Sequence, residues 1–275
     1  MRIGLLSDLH IGDSGEGRWH NRQLLDNAEQ IARSAVDTLN HHNLDLVVVT
    51  GDLTNSGTRD QFLSVKAVLS SLKSAWYVVP GNHDRPGIVD GTFKSVFQSH
   101  YPDTYMVIGG VGMLFLTEKL PTESAVPALG VAQGAYDAQI SDIAHNQHQL
   151  LLVFSHFQLE SEESHAVRHN TGYVDHYLDG HDFRKRLERA VPGKVAGFFG
   201  HQHWHHISVD GRYVQCTTGA AVEFPMECRV VTIDGESLTV ETLDTTVPEL
   251  AARSLVAEPW AQGTEPDRSL TVELS

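Results

Sequence analysis

Only two cysteines occur in 275 residues. Cys216 and Cys228 are spaced as neither a zinc clip nor a redox pair, which excludes a disulfide scaffold. A bridge between neighbouring strands stays open, but two reduced, partly buried thiols are the expectation. No apolar run approaches the roughly 20 residues of a membrane span. The opening Met1-Arg2-Ile3-Gly4-Leu5-Leu6 is too short for a signal peptide's apolar core, and cleavage at a usual site would also remove Asp8 and His10. A cytoplasmic location without membrane contact is expected. Basic residues are scarce: 20 Lys and Arg stand against 35 Asp and Glu, a formal charge of −15. That balance opposes a nucleic-acid polymer, which calls for a basic stripe. It does not oppose a small phosphate ester drawn by the local field of bound cations.

What remains is an ordinary soluble composition, 41% hydrophobic and 20% charged, long enough for one large α/β domain or two small ones. Ile3 to Leu6 reads as a buried strand. From Asn21 to His41, Leu24, Ala28, Ile31, Ala35 and Leu39 recur at helical spacing. The run 44–49 is apolar apart from Asp45, as in a strand covered on both faces. A helix over 60–73 and a strand over 76–79 follow, so parallel order with right-handed crossovers is expected. Further strands are expected at 112–117, 150–154 and 195–199, with helices near 137–145 and 181–190. Asp210-Gly211 and Asp234-Gly235 mark tight antiparallel turns. Residues 160–180 read as a loop or lid. The acidic tail after Pro248 packs on the body, joins a partner subunit of a homo-oligomer, or moves freely.

Metal-binding side chains cluster just after apolar runs: Ser7-Asp8-Leu9-His10, Gly51-Asp52, Gly81-Asn82-His83-Asp84, Ser155-His156 and Gly200-His201-Gln202-His203. Carboxylates, an amide oxygen and imidazoles without thiolate suit two borderline-to-hard ions held close together, and such pairs hydrolyse esters, usually at phosphorus. The carboxyl ends of α/β strands border the ligand crevice. Asp8 and His10, two apart in an extended segment, would face one side and share an ion. Asp52, after a glycine, could bridge two ions, and His201 and His203 would converge from one loop. Singly each fragment has a plainer reading, such as Gly-Asp-Leu as a turn or cap and His156 as a core histidine; their joint order makes chance a poor account.

That order resembles the signature of the calcineurin-like metallophosphoesterases over residues 8–203. The resemblance implies an α/β fold of two mixed sheets packed as a sandwich flanked by helices, residues 1–245 forming the catalytic domain and 246–275 a C-terminal extension. It implies paired Fe, Mn or Zn ions, with Asp8, His10, Asp52 and His203 on the first and Asp52, Asn82, His156 and His201 on the second. A metal-bridging hydroxide would attack phosphorus, while His83 faces the phosphate and helps the leaving oxygen depart. Asp84 orients a neighbour or caps a turn. Asn55 stands where the protein-phosphatase branch has Asp; it could support His83 by hydrogen bonding but supplies no charge. The chain looks closer to the class III cyclic-nucleotide phosphodiesterases and glycerophosphodiesterases.

Secondary candidates for substrate contact are Arg85, otherwise a surface ion pair, and His205, placed by alternation on the side of His203. Asn21 and Arg22 cap the first helix or enter the mouth, Trp204 is core, and His165, His169 and His176 belong to the solvated loop. The function expected is hydrolysis of a small phosphodiester, with a phosphomonoesterase as the runner-up. A scaffold that had given up catalysis would tolerate loss of His83 or of a ligand, and all are present.

Overall fold

The structure is a computed structural model that describes residues 1–102, 104–117, 127–171, 175–245 and 247–274. In chain order the first strands are β1 (Arg2–Leu6), β2 (Gly17–Arg18), β3 (Arg22–Gln23), β4 (Leu46–Thr50), β5 (Ala75–Val79), β6 (Tyr105–Ile108) and β7 (Val111–Phe115). They are followed by β8 (Leu150–Phe154), β9 (Lys194–Phe199), β10 (His206–Asp210), β11 (Tyr213–Thr217), β12 (Glu227–Ile233), β13 (Ser237–Asp244) and β14 (Ser269–Glu273). The helices are α1 (Ala28–Leu39), α2 (Arg59–Leu69), α3 (Arg85–Val89), α4 (Thr92–Phe97), α5 (Asp137–Asn146), α6 (Glu163–Arg168), α7 (Gly180–Ala190), α8 (Pro248–Ser254) and α9 (Glu265–Arg268).

The unbroken apolar reading of β4 follows from burial on both faces. Leu46 and Val48 share a core with Ile3 and Leu5 of the same sheet and with Phe115, Phe154 and Phe198 of a second sheet. Val47 and Val49 face the opposite way, onto Ile11, Ala32 and Val36 and onto Phe62 and Val65 of α2. The second sheet alternates likewise: Leu151 and Val153 join Ile143 of α5 and Phe183 and Leu187 of α7. Helix, sheet, sheet and helix layers result. One sheet has the order β14-β13-β12-β1-β4-β5, the other β10-β11-β9-β8-β7-β6. Both are mixed. β1, β4 and β5 run parallel, as do β7, β8, β9 and β11, while β12 to β14, β6 and β10 pair antiparallel.

The Asp-Gly turns sit where the sequence puts them, with φ of +61° at Gly211 and +99° at Gly235, angles that favour glycine. Both cysteines are free and buried. The first helix begins only at Ala28, because residues 17–23 form the β2–β3 ribbon instead. Asn21 therefore neither caps α1 nor enters a mouth. It is buried, and its side-chain oxygen accepts the backbone N–H groups of Val256, Ala257 and Glu258. Arg22 pairs with Glu16 at 3.1 Å. The C-terminal segment is bound to the body: β14 extends the first sheet beside β13, and buried Arg229 donates to the carbonyls of Thr217 and Asp267 at 2.9 and 2.8 Å. Within 160–180, the described residues carry α6 rather than a solvated loop, with His165 and Ala166 buried. Among the described residues no helix is long and apolar enough to cross a membrane.

Candidate metal centre

The loops leaving β1, β4, β5, β8 and β9 bring together every metal-ligand candidate the sequence offered. The segments 7–11 and 51–54 run side by side, joined by N–H to C=O bonds from Asp8 to Gly51 (3.0 Å), His10 to Asp52 (3.0 Å) and Ile11 to Leu53 (3.1 Å). Asp8 and His10 come together, but not through the strand alternation expected of them, because β1 ends at Leu6. Their backbones are left-handed, with φ of +53° and +45°, and so are Asp52 (+47°), His201 (+68°) and His203 (+57°). Each such conformation costs of order 1–3 kcal/mol in a non-glycine residue and persists only where its surroundings enforce it. Gly51, at φ +97°, must lack a side chain: a Cβ there would lie 2.3 Å from Nδ1 of His156. A Cβ on Gly81 would lie 2.1 Å from the Asp52 carboxylate.

Two buried triads result. Ligand atoms of Asp8, His10 and His203 all lie within 4.8 Å of one another, and so do those of Asp52, His156 and His201. Asp8 Oδ1 is 3.2 Å from His203 Nε2, and Asn82 Oδ1 is 3.0 Å from His156 Nε2. Asp52 Oδ2 stands between the triads, 3.3 Å from His156 Nε2 and 3.7 Å from His10 Nε2. The other ring nitrogens are held from behind, the usual way of orienting a metal-binding imidazole. His156 Nδ1 donates to the Thr50 carbonyl at 2.9 Å, His10 Nδ1 meets the Asn55 side chain at 3.3 Å, and His203 Nδ1 meets the Glu223 carboxylate.

Burial works against charge on every one of these groups, and the neighbours decide the outcome. Burial opposes ionisation of Asp8 and Asp52, yet the imidazoles of His203 and His156 hold both carboxyls below the usual range. The carboxylates in turn raise His156 to about 9 and His203 to about 10 against their own burial. Burial brings His10 down to about 4 despite Asp52, and it lowers His201 too. His10 Nε2 is buried without a hydrogen-bond partner among the described residues. A buried polar atom of that kind is costly unless something binds it. Anionic carboxylates, an amide oxygen and this bare imidazole nitrogen fit divalent cations with hard-to-borderline preferences.

His83 sits beside the triads with its ring edge-on to His10 at 4.7 Å, and its backbone N–H donates to Asp52 Oδ1 at 2.8 Å. Its Nδ1 is 2.8 Å from the Asn55 carbonyl; since a carbonyl only accepts, Nδ1 carries the hydrogen and Nε2 is the nitrogen left for other chemistry. The Asn55 amide donates to Asp13 at 2.6 Å. Asp84 is buried and accepts from Leu53 N, Thr54 N and Oγ1 and Gly81 N, which ties the β4 loop to the β5 loop. Burial, with Asp52 nearby, raises it to about 6.

His205 and Arg85, expected at the substrate, are not among the residues that line the pocket beside the triads. His205 is fully buried, 3.3 Å from Glu227, because residues 200–205 form a loop and alternation does not apply. Arg85 is half-buried at the first turn of α3 and does not line the pocket. Trp204 is core, as expected. The pocket instead recruits Trp19 and Gln23 from the β2–β3 ribbon, which carried no sequence signal. Glu223 also escaped notice, although a lone acid in the apolar run 220–226 was a usable sign.

The fold is thus a two-sheet sandwich with two carboxylate–imidazole triads at its strand ends. The chain belongs to the calcineurin-like phosphoesterase superfamily, whose domain description matches residues 1–236. It is 29% identical over 93 residues to a "Probable cyclic nucleotide phosphodiesterase" of Vesicomyosocius okutanii, covering 34% of this chain and 37% of that one. It is 34% identical over 89 residues to a "Probable glycerophosphodiester phosphodiesterase" of Arcobacter nitrofigilis, covering 30% of each. The chain thus spans well under half the length of each of these two relatives. A dimetal phosphatase from Danio rerio shares the fold, with a TM-score of 0.69 at 14% identity over 100% of this chain and 99% of that one.

Proposed function

We propose that this chain is a metal-dependent phosphoesterase that hydrolyses a small phosphodiester, of cyclic-nucleotide or glycerophosphodiester type, at a pair of Fe, Mn or Zn ions. The observation that carries the reading is the placement of one Asp52 oxygen between His10 and His156, at 3.7 and 3.3 Å. A carboxylate so placed can serve both triads. Asp8, His10, Asp52 and His203 would hold one ion, and Asp52, Asn82, His156 and His201 the other. Paired cations supply positive charge against a phosphate and acidify water.

The protein's own part is positioning and proton transfer. The Asn55 carbonyl fixes the His83 ring, so its Nε2 can hold a proton for the departing oxygen. The pocket, of about 110 Å³, admits a phosphoryl centre and leaves ester substituents to extend outward. Among the described residues no Arg or Lys lines it, which favours a singly charged diester over a dianionic monoester. With a formal charge of −15, a polynucleotide is disfavoured.

The test compares aryl phosphate diesters with monoesters on metal-loaded wild type and His83→Ala. Faster diester hydrolysis is expected, with a loss of roughly 10²–10⁴-fold in the variant at unchanged metal content. Equal rates would remove the role of His83. Activity on monoesters alone would make the chain a phosphomonoesterase, and less than one cation per chain after loading would end the reading.

A further inference from the structure

A second cluster of metal-binding side chains lies where α6, β10 and α9 meet and shares no residue with the strand-end centre. His165 of α6, His206 at the start of β10 and Asp267 of α9 place one ligand atom each within 4.8 Å of one another. The three residues come from segments far apart in the chain. His165 is 2% exposed, and among the described residues neither of its ring nitrogens has a hydrogen-bond partner. Its ring lies against Trp204 at 5.2 Å and against His206 at 4.4 Å. An imidazole sealed in this way has lost water from both nitrogens and gained nothing in return.

The surroundings are prepared for a cation. His206 Nδ1 meets Asp267 Oδ1 at 2.7 Å, so two of the three ligand atoms already stand side by side, and a cation between them would take the place of the shared hydrogen. Asp267 Oδ2 accepts the backbone N–H and the hydroxyl of Thr264, so the carboxylate is locked while Oδ1 keeps a lone pair. Burial, with His206 and His169 adding to it, takes His165 down to about 3, so its imidazole is neutral at ordinary pH.

We propose that His165, His206 and Asp267 form a further cation site, taking a borderline divalent ion such as zinc, that fastens the C-terminal segment to the body. Two imidazoles and one carboxylate without thiolate are a zinc-type donor set. The fourth position falls to solvent beside the half-buried His206. The ion would join α6, β10 and α9 around the small core of Ala166, Trp204 and Ala261. Trp204 follows His203 directly, so the site also braces the loop that feeds the strand-end centre.

The test is a zinc-edge anomalous difference map from crystals of the full-length wild type grown with zinc. A peak about 2.0–2.1 Å from a ring nitrogen of both His165 and His206, and at bonding distance from Asp267, is expected. A map without a peak at this triad overturns the proposal, whether or not the strand-end centre is filled; the two sites are read at separate positions. In solution, equilibrium dialysis should show His165→Gln binding one zinc fewer per chain than wild type. An unchanged count in a variant with wild-type circular dichroism also overturns it, and a variant that fails to fold leaves the wild-type map to decide.

Discussion

Filling the strand-end centre should expel protons, and their number follows from the side chains. In the metal-free protein His156 titrates at about 9 and His203 at about 10, while Asp8 and Asp52 are held anionic and His10 and His201 neutral. At pH 7 the ligand form is therefore about one part in 10² for His156 and one in 10³ for His203. Loading the two proposed cations should displace about two protons, since a metal binds only the deprotonated imidazole. The combined binding constant should gain about two decades per pH unit between 7 and 9, then level off above 10. Calorimetric titration of metal into metal-free protein, in buffers of matched pH and different ionisation enthalpy, counts the protons directly. The count should fall as pH approaches 10, and His203→Asn should lower it by one at pH 7. A count near zero at pH 7, or one that does not fall, would refute the charge pattern. Folding stability runs the other way. Both folded-state values lie above the unfolded 6.5, so their contribution is complete below pH 6.5 and is lost as pH rises through 9 and 10. The metal-free protein should melt at lower temperature at pH 10 than at pH 7.

Glu223→Gln removes the carboxylate behind His203 and should weaken metal affinity about 10–100-fold, read by competition with a chelating dye. Asn55→Ala removes the side chain behind His10 but keeps the carbonyl that holds His83. It should weaken metal binding while leaving kcat of the fully loaded protein within a few-fold; a kcat loss as large as that of His83→Ala would contradict this division of labour. Asp84→Ala strips four donors of their acceptor and should cost about 3 kcal/mol or more in urea unfolding. Gly51→Ala places a methyl into the His156 ring at an unfavourable φ, and both metal content and stability should drop.

Much of the layout was legible because it rests on period and punctuation. The apolar runs at 46–49, 150–154 and 195–199 are strands buried on both faces. The ligand candidates were legible because a strand end is where a polar side chain can follow an apolar run. What was not legible depends on partners remote in sequence. Asn21 reads as a helix cap until the C-terminal segment arrives to use its side chain. His205 reads as a neighbour of His203 only if the loop is extended. His165 reads as solvated until Trp204 and His206 close over it.

The backbone at the ligands is the most consequential case. Five of the seven proposed ligands are left-handed, a conformation their side chains resist. No local pattern announces it, since the cause is the paired 7–11 and 51–54 loops and the close glycine contacts at 51 and 81. Those restraints are made entirely by protein atoms. They hold Asp8, His10 and Asp52 in place before any cation arrives, so binding energy is not consumed in ordering the chain. A centre built this way should keep its fold when stripped by chelator and refill without a refolding step. Far-ultraviolet circular dichroism and amide exchange of the β1 and β4 loops, before and after chelation, would show whether the loops rather than the cations set this geometry.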